Sequence, residues 1–300
     1  MAENAPANPL NNVAPVTEMT ADDKTGESTR FSPRGRPVIT GVNRVGLHAL
    51  YMKEVRRFLK VQTQTIWAPA FTTLLFLTIF TVSLGREGRE VLGVPFATFV
   101  APGLIMMAMM QNAFANSSFS LLGGKIQGTI IDYLMPPLSP GEVMAGILAA
   151  AMTRAICVGF AVALAMALWP GVSLAMAHPW AAVWFGLMGS LMLATVGLAT
   201  SIWAEKFDHN AAVTNFIIAP LSLLSGTFYV IENLHGVFQT ISRMNPFFYV
   251  ISGFRYGFLG ASDMGGGEHV LASGLGLLVL NIVMAVGVYA LLRSGWKLKS

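Results

Sequence analysis

Long apolar runs without charge alternate with short polar segments along most of this chain. Each of these runs is roughly 20 residues or longer, which is enough for a helix to cross the ~30 Å hydrocarbon core of a bilayer. The pattern therefore predicts an all-α, polytopic membrane protein with six transmembrane helices. The predicted spans lie at about 65–84, 96–116, 143–168, 180–203, 211–230 and 270–292.

Composition supports a membrane protein throughout. Of the 300 residues, 54% are hydrophobic and 11% are charged, whereas soluble domains carry about 25% charged residues. We therefore expect one transmembrane domain, residues 44–300, and no sizeable soluble domain. The single cysteine, Cys157, lies within an apolar run. It cannot form an intrachain disulfide and is interpreted as a small buried apolar residue.

Two different segments precede the first span. Residues 1–43 are rich in Ala, Asn, Pro and Thr, without apolar periodicity, and we expect a disordered cytoplasmic tail. Residues 44–60 instead predict an amphipathic helix at the membrane surface, with its basic face toward anionic lipid headgroups. A plain cytoplasmic leader to the first span is the alternative. The basic stripe comprises Lys53, Arg56, Arg57 and Lys60, and the apolar stripe Leu47, Tyr51, Val55 and Phe58.

The distribution of positive charge predicts the orientation. Nine of the 19 Lys and Arg residues precede the first span, whereas the segments predicted to face outward hold four. Because Lys and Arg are enriched on the cytoplasmic side, both termini are predicted to be cytoplasmic. The net charge of +4 therefore reflects topology and does not indicate nucleic-acid binding. The four outward residues are Arg86, Arg89, Arg243 and Arg255.

The connection between the fifth and sixth predicted spans, about 231–269, is unusually aromatic. A segment with this composition is unlikely to remain in water, and it predicts short helices that re-enter the outer leaflet. An interfacial aromatic belt is the alternative interpretation. The residues concerned are Phe238, Phe247, Phe248, Tyr249, Ile251, Phe254, Tyr256 and Phe258.

Several kinds of chemistry find no support in the sequence. No acid or histidine lies in the middle of a predicted span, whereas proton-coupled carriers usually place a titratable group there. The motifs of zinc proteases, serine hydrolases and P-loop ATPases are also not found. We therefore expect a transport protein rather than an enzyme, with no cofactor or metal bound by this chain. Such a protein conducts passively or is driven by a partner, which would need a cytoplasmic docking surface.

Four stretches of sequence stand out: "FVAPGLIMM" (99–107), "LMPPLSPGEVMAG" (134–146), "APLSLLSGTFY" (219–229) and "NPFFYVISGFRYGFLG" (245–260). They resemble the permease subunits of ABC-2 type exporters, in particular the YadH-like and nodulation-factor export permeases. This resemblance implies a permease homodimer in the bacterial inner (plasma) membrane, driven by a separate P-loop ABC ATPase subunit that binds ATP and Mg. One departure follows the fifth span, where Val230 and His235 replace prolines that are common in the family.

The resemblance also implies a role for residues 123–142, here called the polar hairpin. A short helix near 128–134 would couple the permease to the ATPase, with apolar side chains as anchors and Asp132 paired with a basic residue. The prolines that follow would end this helix. An ordinary polar turn between spans is the alternative. The proposed coupling residues are Gly128, Ile130, Ile131, Asp132, Tyr133, Leu134, Pro136 and Pro137.

Spans two and five would line a central substrate path in such a dimer. Their amides could contact substrate, although amides in spans more often hydrogen-bond between helices. Arg154 has three alternatives: it extends to the inner interface, pairs with a helix carbonyl, or meets a substrate phosphate or sugar. Besides Gln111, the candidate path residues are Asn112, Phe114, Asn116, Arg154, Thr214, Asn215 and Phe216.

Taken together, these features predict the membrane-spanning subunit of an ATP-driven exporter. Its substrate would be amphipathic, lipidic, glycan or drug-like. Binding of ATP by the partner would close the cytoplasmic side through the polar hairpin. Two alternatives remain: an ion-coupled secondary transporter, and a membrane-embedded enzyme or assembly factor that acts through the aromatic outer segment.

Overall fold

The computed structural model describes residues 41–84, 90–231 and 236–298. Most of the predicted tail, the step from Leu234 to His235, and Arg86 and Arg89 lie outside these ranges. The described chain is almost entirely helical, which confirms an all-α membrane protein. The helices are α1 (Arg44–Leu59), α2 (Ala68–Leu84), α3 (Phe96–Ile126), α4 (Ile131–Leu134), α5 (Pro140–Ala167), α6 (Pro179–Trp203), α7 (Phe207–Val213), α8 (Ala219–Leu223), α9 (Val237–Met244), α10 (Pro246–Leu259) and α11 (Gly267–Ser294).

Four short elements, two π-helical turns and two strands, lie between the helices. A π-helical turn, Thr63–Trp67, leads into α2, and a second one, Thr214–Ile218, joins α7 to α8. Two strands of two residues each, β1 (Glu90–Val91) and β2 (Val94–Pro95), form an antiparallel pair before α3.

Five helices of the described ranges are long and apolar enough to cross a membrane, so the predicted count of six is not confirmed. The exception is the predicted span 211–230, where α7, a π turn and α8 follow one another and end at Leu223. Pro220 has no N–H to donate to the carbonyl of Phe216, which weakens a continuous α-helix at this point. The five helices are Thr63–Val82, Phe96–Ile126, Pro140–Ala167, Pro179–Trp203 and Gly267–Ser294.

Helix α3 lies at the centre of the molecule and contacts α5, α6 and α10. Of its most apolar 18-residue stretch, 94% lies buried within the protein. Glycine allows α6 to come very close: a Cβ on Gly197 would lie 2.5 Å from the carbonyl oxygen of Phe114. Small residues commonly permit such close packing between membrane helices. At Gly197 the backbone of α6 therefore lies directly against the backbone of α3.

The aromatic segment forms the two short helices α9 and α10, as predicted. Asn245 caps α10 by accepting a hydrogen bond from the backbone N–H of Phe247, Pro246 occupies its first turn, and Gly260 ends it in a left-handed conformation. The helix packs against α6, where a Cβ on Gly257 would lie 2.5 Å from the backbone nitrogen of Ala182. The four phenylalanines of α10 are therefore buried, whereas Phe238 of α9 is 61% exposed.

The leader helix is also present as α1, which packs against α5. Asn43 caps it by accepting a hydrogen bond from the N–H of Gly46. Of the predicted apolar stripe, Phe58 is buried and the other three side chains are half-buried. Leu50, which the prediction did not include, is buried too, and so is the acidic Glu54 between Leu50 and Phe58. The predicted division into an apolar and a basic face therefore omits a buried charge.

Candidate functional site

The polar hairpin folds into a single helical turn between two long helices. Helix α3 ends at Ile126, and Gly128 adopts a left-handed conformation (φ +71°) that most side chains disfavour. The turn α4 covers Ile131–Leu134. Ser139 and Glu142 then form a reciprocal capping box at the start of α5. The helix predicted near 128–134 is thus present, although shorter.

One face of the hairpin exposes apolar side chains. Ile131, Leu134 and Met135 are 57%, 48% and 76% exposed, and Asp132 beside them is also exposed. Ile130 instead packs partly buried against the core. Pro136 is half-buried and Pro137 is exposed. Because the hairpin lies outside the membrane-spanning helices, this exposed face, here called the apolar tip, is suited to contact another protein.

Tyr133 points inward rather than outward. Its side chain is 7% exposed, and its hydroxyl donates a hydrogen bond to Oε1 of Glu54 over 2.8 Å. The Lys53 ammonium lies 3.5 Å from the centre of its ring. Burial and the neighbouring Glu54 carboxylate raise the pKa of Tyr133, so the phenol remains protonated and acts as the donor. This side chain holds the hairpin from within, whereas the sequence predicted an outward anchor.

Glu54 extends this contact to the transmembrane helices. It is fully buried, and its Oε2 lies 2.8 Å from Nη2 of Arg57. The same Arg57 nitrogen donates a hydrogen bond to the backbone oxygen of Asn116 in α3 over 2.5 Å. Tyr133, Glu54, Arg57 and Asn116 therefore form one chain of contacts, here called the buried relay, from α4 through α1 to α3.

The sequence analysis did not identify Glu54. A signal was available, because Glu54 is spaced four residues from both Leu50 and Phe58 and so shares their buried face. What the sequence could not supply was its partner, since Tyr133 lies 79 residues further along the chain.

The amides predicted in span two do not all face a cavity. Asn112 and Asn116 are buried, and Nη2 of Arg154 donates a hydrogen bond to Oδ1 of Asn112 over 2.9 Å. Arg154 thus pairs with a side-chain amide of a neighbouring helix, which none of its three predicted alternatives included. Asn112 and Arg154 therefore join α3 to α5, and Asn116 joins α3 to α1, in the manner of interhelical hydrogen bonds.

The other path residues surround a cleft of about 510 Å³ between α3 and the segment 207–219, here called the amide cleft. None of the described residues that line it is charged. Phe216 is not part of it, since its ring is 82% exposed and lies elsewhere on the helix. The amide cleft is lined by Gln111, Phe114, Ala115, Ser118, Phe119, Phe207, Asn210, Ala211, Thr214, Asn215, Ile218 and Ala219.

A second cleft, of about 350 Å³, lies beside the hairpin and is here called the hairpin cleft. Unlike the amide cleft it has charged walls, which include Lys53, Arg57 and Asp132. Both clefts are bordered by Phe119 and Phe207, whose ring centres are 5.8 Å apart. This ring pair separates a charged compartment from an uncharged one.

Arg255, counted by sequence among the outward-facing charges, lies fully buried. Its Nη1 is 2.8 Å from Oδ2 of Asp263, its Nη2 donates to the carbonyl oxygen of Gly226 over 2.8 Å, and its guanidinium lies 3.9 Å from the ring centre of Phe99. It therefore connects α10 to α3 and to the segment after α8. Sequence alone indicates little of this arrangement, because of these partners Asp263 lies close to Arg255 in the chain whereas Gly226 and Phe99 do not.

Comparison with known proteins places these features in one family context. A family model for the ABC-2 type transporter matches residues 46–259, a range that includes the polar hairpin and both clefts. The chain is 33% identical over 259 residues to the inner membrane transport permease YadH of Escherichia coli (strain K12), covering 85% of this chain and 98% of that protein.

More distant relatives are two proteins named nodulation protein J. The protein from Rhizobium leguminosarum bv. viciae is 26% identical over 193 residues, covering 62% of this chain and 72% of the relative. The one from Rhizobium meliloti (strain 1021) is 24% identical over 226 residues, covering 74% and 84%, respectively.

Proposed function

This chain belongs to the ABC-2 type transporter family, a family of membrane transport permeases, and on that premise we propose that it is the membrane-spanning subunit of an ATP-driven exporter. Two copies pair in the bacterial inner membrane with both termini in the cytoplasm. A separate P-loop ATPase subunit binds ATP and Mg and hydrolyses the ATP, and this chain binds neither. The leader helix α1 rests on the lipid headgroups.

The observation that carries this proposal is the apolar tip of the hairpin. Ile131 and Leu134 are exposed on a turn whose opposite side is fixed by the bond between Tyr133 and Glu54. Aliphatic anchors presented on a rigid element supply most of the binding energy in many protein interfaces. A groove in the ATPase subunit accepts these side chains, and a basic residue of that subunit pairs with the exposed Asp132.

The buried relay supports the transmission of movement from the hairpin. When the two ATPase subunits approach each other on binding ATP, they shift the hairpins seated in them. The contact from Tyr133 to Glu54 moves α1, and Arg57 carries the shift to Asn116 in α3. Since α3 forms a wall of both clefts, this shift closes the path on the cytoplasmic side. Substrate then leaves toward the outer face.

A second copy accounts for the polar groups on the surface of segment 207–219. Asn215 is exposed there, next to the exposed rings of Phe216 and Phe207. An amide facing lipid would lack hydrogen-bond partners, which is costly in the bilayer core. Pairing of two copies across this surface places Asn215 in a shared, hydrated path.

The test removes the anchors without disturbing the interior. Ile131→Asp and Leu134→Asp each place a charge where the partner's groove is apolar, and we expect loss of about 2 kcal/mol or more of binding energy, or roughly thirtyfold in affinity. The measurement is co-purification of the ATPase subunit with the permease, together with permease abundance in the membrane. Because both side chains are exposed, abundance should remain unchanged.

Val45→Asp is the matched control, since Val45 is an exposed aliphatic residue of α1 outside the hairpin. It should retain the ATPase subunit. Retention by both hairpin variants would refute the proposed docking surface. Transport driven by an ion gradient without any ATPase would instead favour a secondary transporter, and a covalent product made by the chain alone would favour an enzyme.

A further inference from the structure

The hairpin cleft carries more positive than negative charge on its described walls. Lys53 and Arg57 both line it from α1, where they lie about one helical turn apart, and the one acid among the described lining residues is Asp132. Within the described part of the chain, Asp132 forms an ion pair with neither of them. Two cations and one acid leave the cleft with a net positive charge, which favours the binding of an anion.

Both cations still have hydrogen-bond donors available. Arg57 uses Nη2 for Glu54 and for α3, whereas its Nε and Nη1 make no hydrogen bond within the described residues, and its side chain is 34% exposed. Lys53 is exposed, and its ammonium lies over the ring of Tyr133. From the hairpin, the exposed Thr129 adds a hydroxyl to the same cleft. A phosphate accepts strong hydrogen bonds from such a set of donors.

The cleft lies at the depth where lipid headgroups begin. Gly124 lines the cleft near the end of α3, and the neighbouring Lys125 bonds to the carbonyl of Ile202 at the end of α6. These two helix ends are therefore level with each other. Trp203, beside Ile202, is 42% exposed, and Trp67, before the first spanning helix, is 56% exposed. Exposed tryptophans of membrane proteins are enriched at the interface between headgroups and hydrocarbon.

We propose that the hairpin cleft binds the phosphate headgroup of an anionic phospholipid from the leaflet on the hairpin's side, which the predicted orientation makes the cytoplasmic one. Lys53 and Arg57 hold the phosphate from α1 and Thr129 holds it from the hairpin, so the bound lipid links the two elements. Basic pockets at the cytoplasmic side of transmembrane helices bind such headgroups. The volume of about 350 Å³ is that of an ordinary small-molecule site. The inference goes beyond the proposed function, because it needs neither ATP nor a transported substrate.

The experiment uses the full-length permease in nanodiscs, without the ATPase subunit. Cys157→Ser removes the native thiol, and Gln127→Cys places a reporter on an exposed wall of the cleft. Its rate of labelling by N-ethylmaleimide is measured in phosphatidylcholine discs with increasing phosphatidylglycerol. Val45→Cys, at an exposed position of α1 outside the cleft, reports the general effect of an anionic surface. A second series adds inorganic phosphate to pure phosphatidylcholine discs at constant ionic strength, which separates a lipid headgroup from a soluble phosphate.

We expect phosphatidylglycerol to slow labelling at Gln127→Cys and to have much less effect at Val45→Cys. Lys53→Gln should raise the half-protecting fraction of phosphatidylglycerol about fivefold, the usual effect of one basic side chain near anionic lipid. Arg56→Gln is the matched control, because it removes the same charge from an exposed position of α1 that does not line the cleft, and it should leave this fraction unchanged. Asp132→Asn should lower the fraction, because it removes the acid that repels the phosphate.

Equal slowing at the two reporters would reduce the effect to surface charge and overturn the inference, as would equal effects of Lys53→Gln and Arg56→Gln. Protection by inorganic phosphate in pure phosphatidylcholine discs would refute a lipid as the source. Failure of the proposed function gives a different result. If phosphatidylglycerol protects as expected but Ile131→Asp and Leu134→Asp both retain the ATPase subunit, the exporter assignment fails and the headgroup site stands. If those variants release the ATPase subunit but phosphatidylglycerol does not protect, only the headgroup site is refuted.

Discussion

At the scale of single residues, Tyr133 has a different role from the one its sequence context suggested. An aromatic residue in a polar hairpin is typical of an interface anchor, but this ring is covered and its hydroxyl bonds to Glu54. The anchors are therefore the aliphatic residues of the apolar tip. The contribution of Tyr133 is to fix the orientation of the turn that presents them.

Tyr133→Phe should separate docking from transmission. The variant removes one hydrogen bond to a buried carboxylate, at a cost of about 1–3 kcal/mol in the local stability of the hairpin, and leaves the apolar tip intact. We expect the ATPase subunit to remain bound. The reporter is a cysteine introduced by Ala211→Cys on the wall of the amide cleft, and the ATP-dependent change in its rate of maleimide labelling should become smaller. Amide hydrogen exchange across the hairpin should also become faster.

Tyr51→Phe is the appropriate control for this change. Tyr51 lies on α1, the helix that also carries Glu54, and its hydroxyl is 3.0 Å from that of Thr153 in α5. Tyr51→Phe therefore removes one hydrogen bond between α1 and a transmembrane helix, but one that is not part of the buried relay. Equal effects of the two variants would mean that the buried relay has no particular role in transmitting movement from the hairpin. No effect of Tyr133→Phe would remove the relay from the mechanism.

At the scale of elements, α10 is positioned by one charged side chain. Arg255 bonds at once to Asp263 and to the carbonyl of Gly226 and covers the ring of Phe99. Removing one member of a buried ion pair typically costs about 3–5 kcal/mol. The helix is therefore expected to depend on this residue more than on any of its exposed ones.

We expect Arg255→Met to lower the thermal unfolding temperature of the purified permease and to speed hydrogen exchange along α10. Arg243→Met, an exposed arginine of the adjacent helix α9, should leave both unchanged. In Asp263→Asn combined with Arg255→Met, part of the stability should return, because the buried carboxylate no longer carries a charge. Unchanged stability of Arg255→Met would show that α10 is held by packing alone.

The helices also show how much of the fold can be predicted from the sequence. Long apolar runs located five spans because a run of sufficient length has few alternatives in a bilayer. The segment 211–230 is not confirmed as a span, because Pro220 and a π turn interrupt its helix and hydrophobicity alone does not indicate such interruptions. At the site, the exposed Ile131 and Leu134 were predicted, but Glu54 and Asn210 were not. Glu54 matters because it bonds to the distant Tyr133, and Asn210 is notable because its buried side-chain oxygen has no hydrogen-bond partner among the described residues. Neither fact can be inferred from the sequence alone.

At the scale of the whole molecule, α3 connects the two ends of the protein. Near its start, Thr98 donates a hydrogen bond to the carbonyl of Gly171 in the loop between α5 and α6. Near its end, Lys125 bonds to the carbonyls of Ile202 and Ala204 at the end of α6. With 31 residues the helix is about 46 Å long, which exceeds the ~30 Å hydrocarbon core. It therefore extends beyond the hydrocarbon core.

The predicted orientation can be measured at these two ends. In a Cys157→Ser background, Gln127→Cys on the exposed turn of the hairpin should react with an impermeant maleimide only from the cytoplasmic side. Ser173→Cys, exposed in the loop between α5 and α6, should react only from the outside, because the excess of Lys and Arg lies with the leader helix. The reverse pattern would invert the topology and remove the hairpin from the reach of a cytoplasmic ATPase.

The ion pair of α10 also constrains how the chain matures during its synthesis. Phe99 and Gly226 leave the ribosome before Arg255, whereas Asp263 follows it by eight residues. Until Asp263 emerges, the growing chain holds a guanidinium without the acid that it will face in the mature protein. Stable docking of α10 through this ion pair therefore requires that Asp263 has also been synthesised. A chain that stops between Arg255 and Asp263 already contains the partners Phe99 and Gly226 but lacks the acid of the pair.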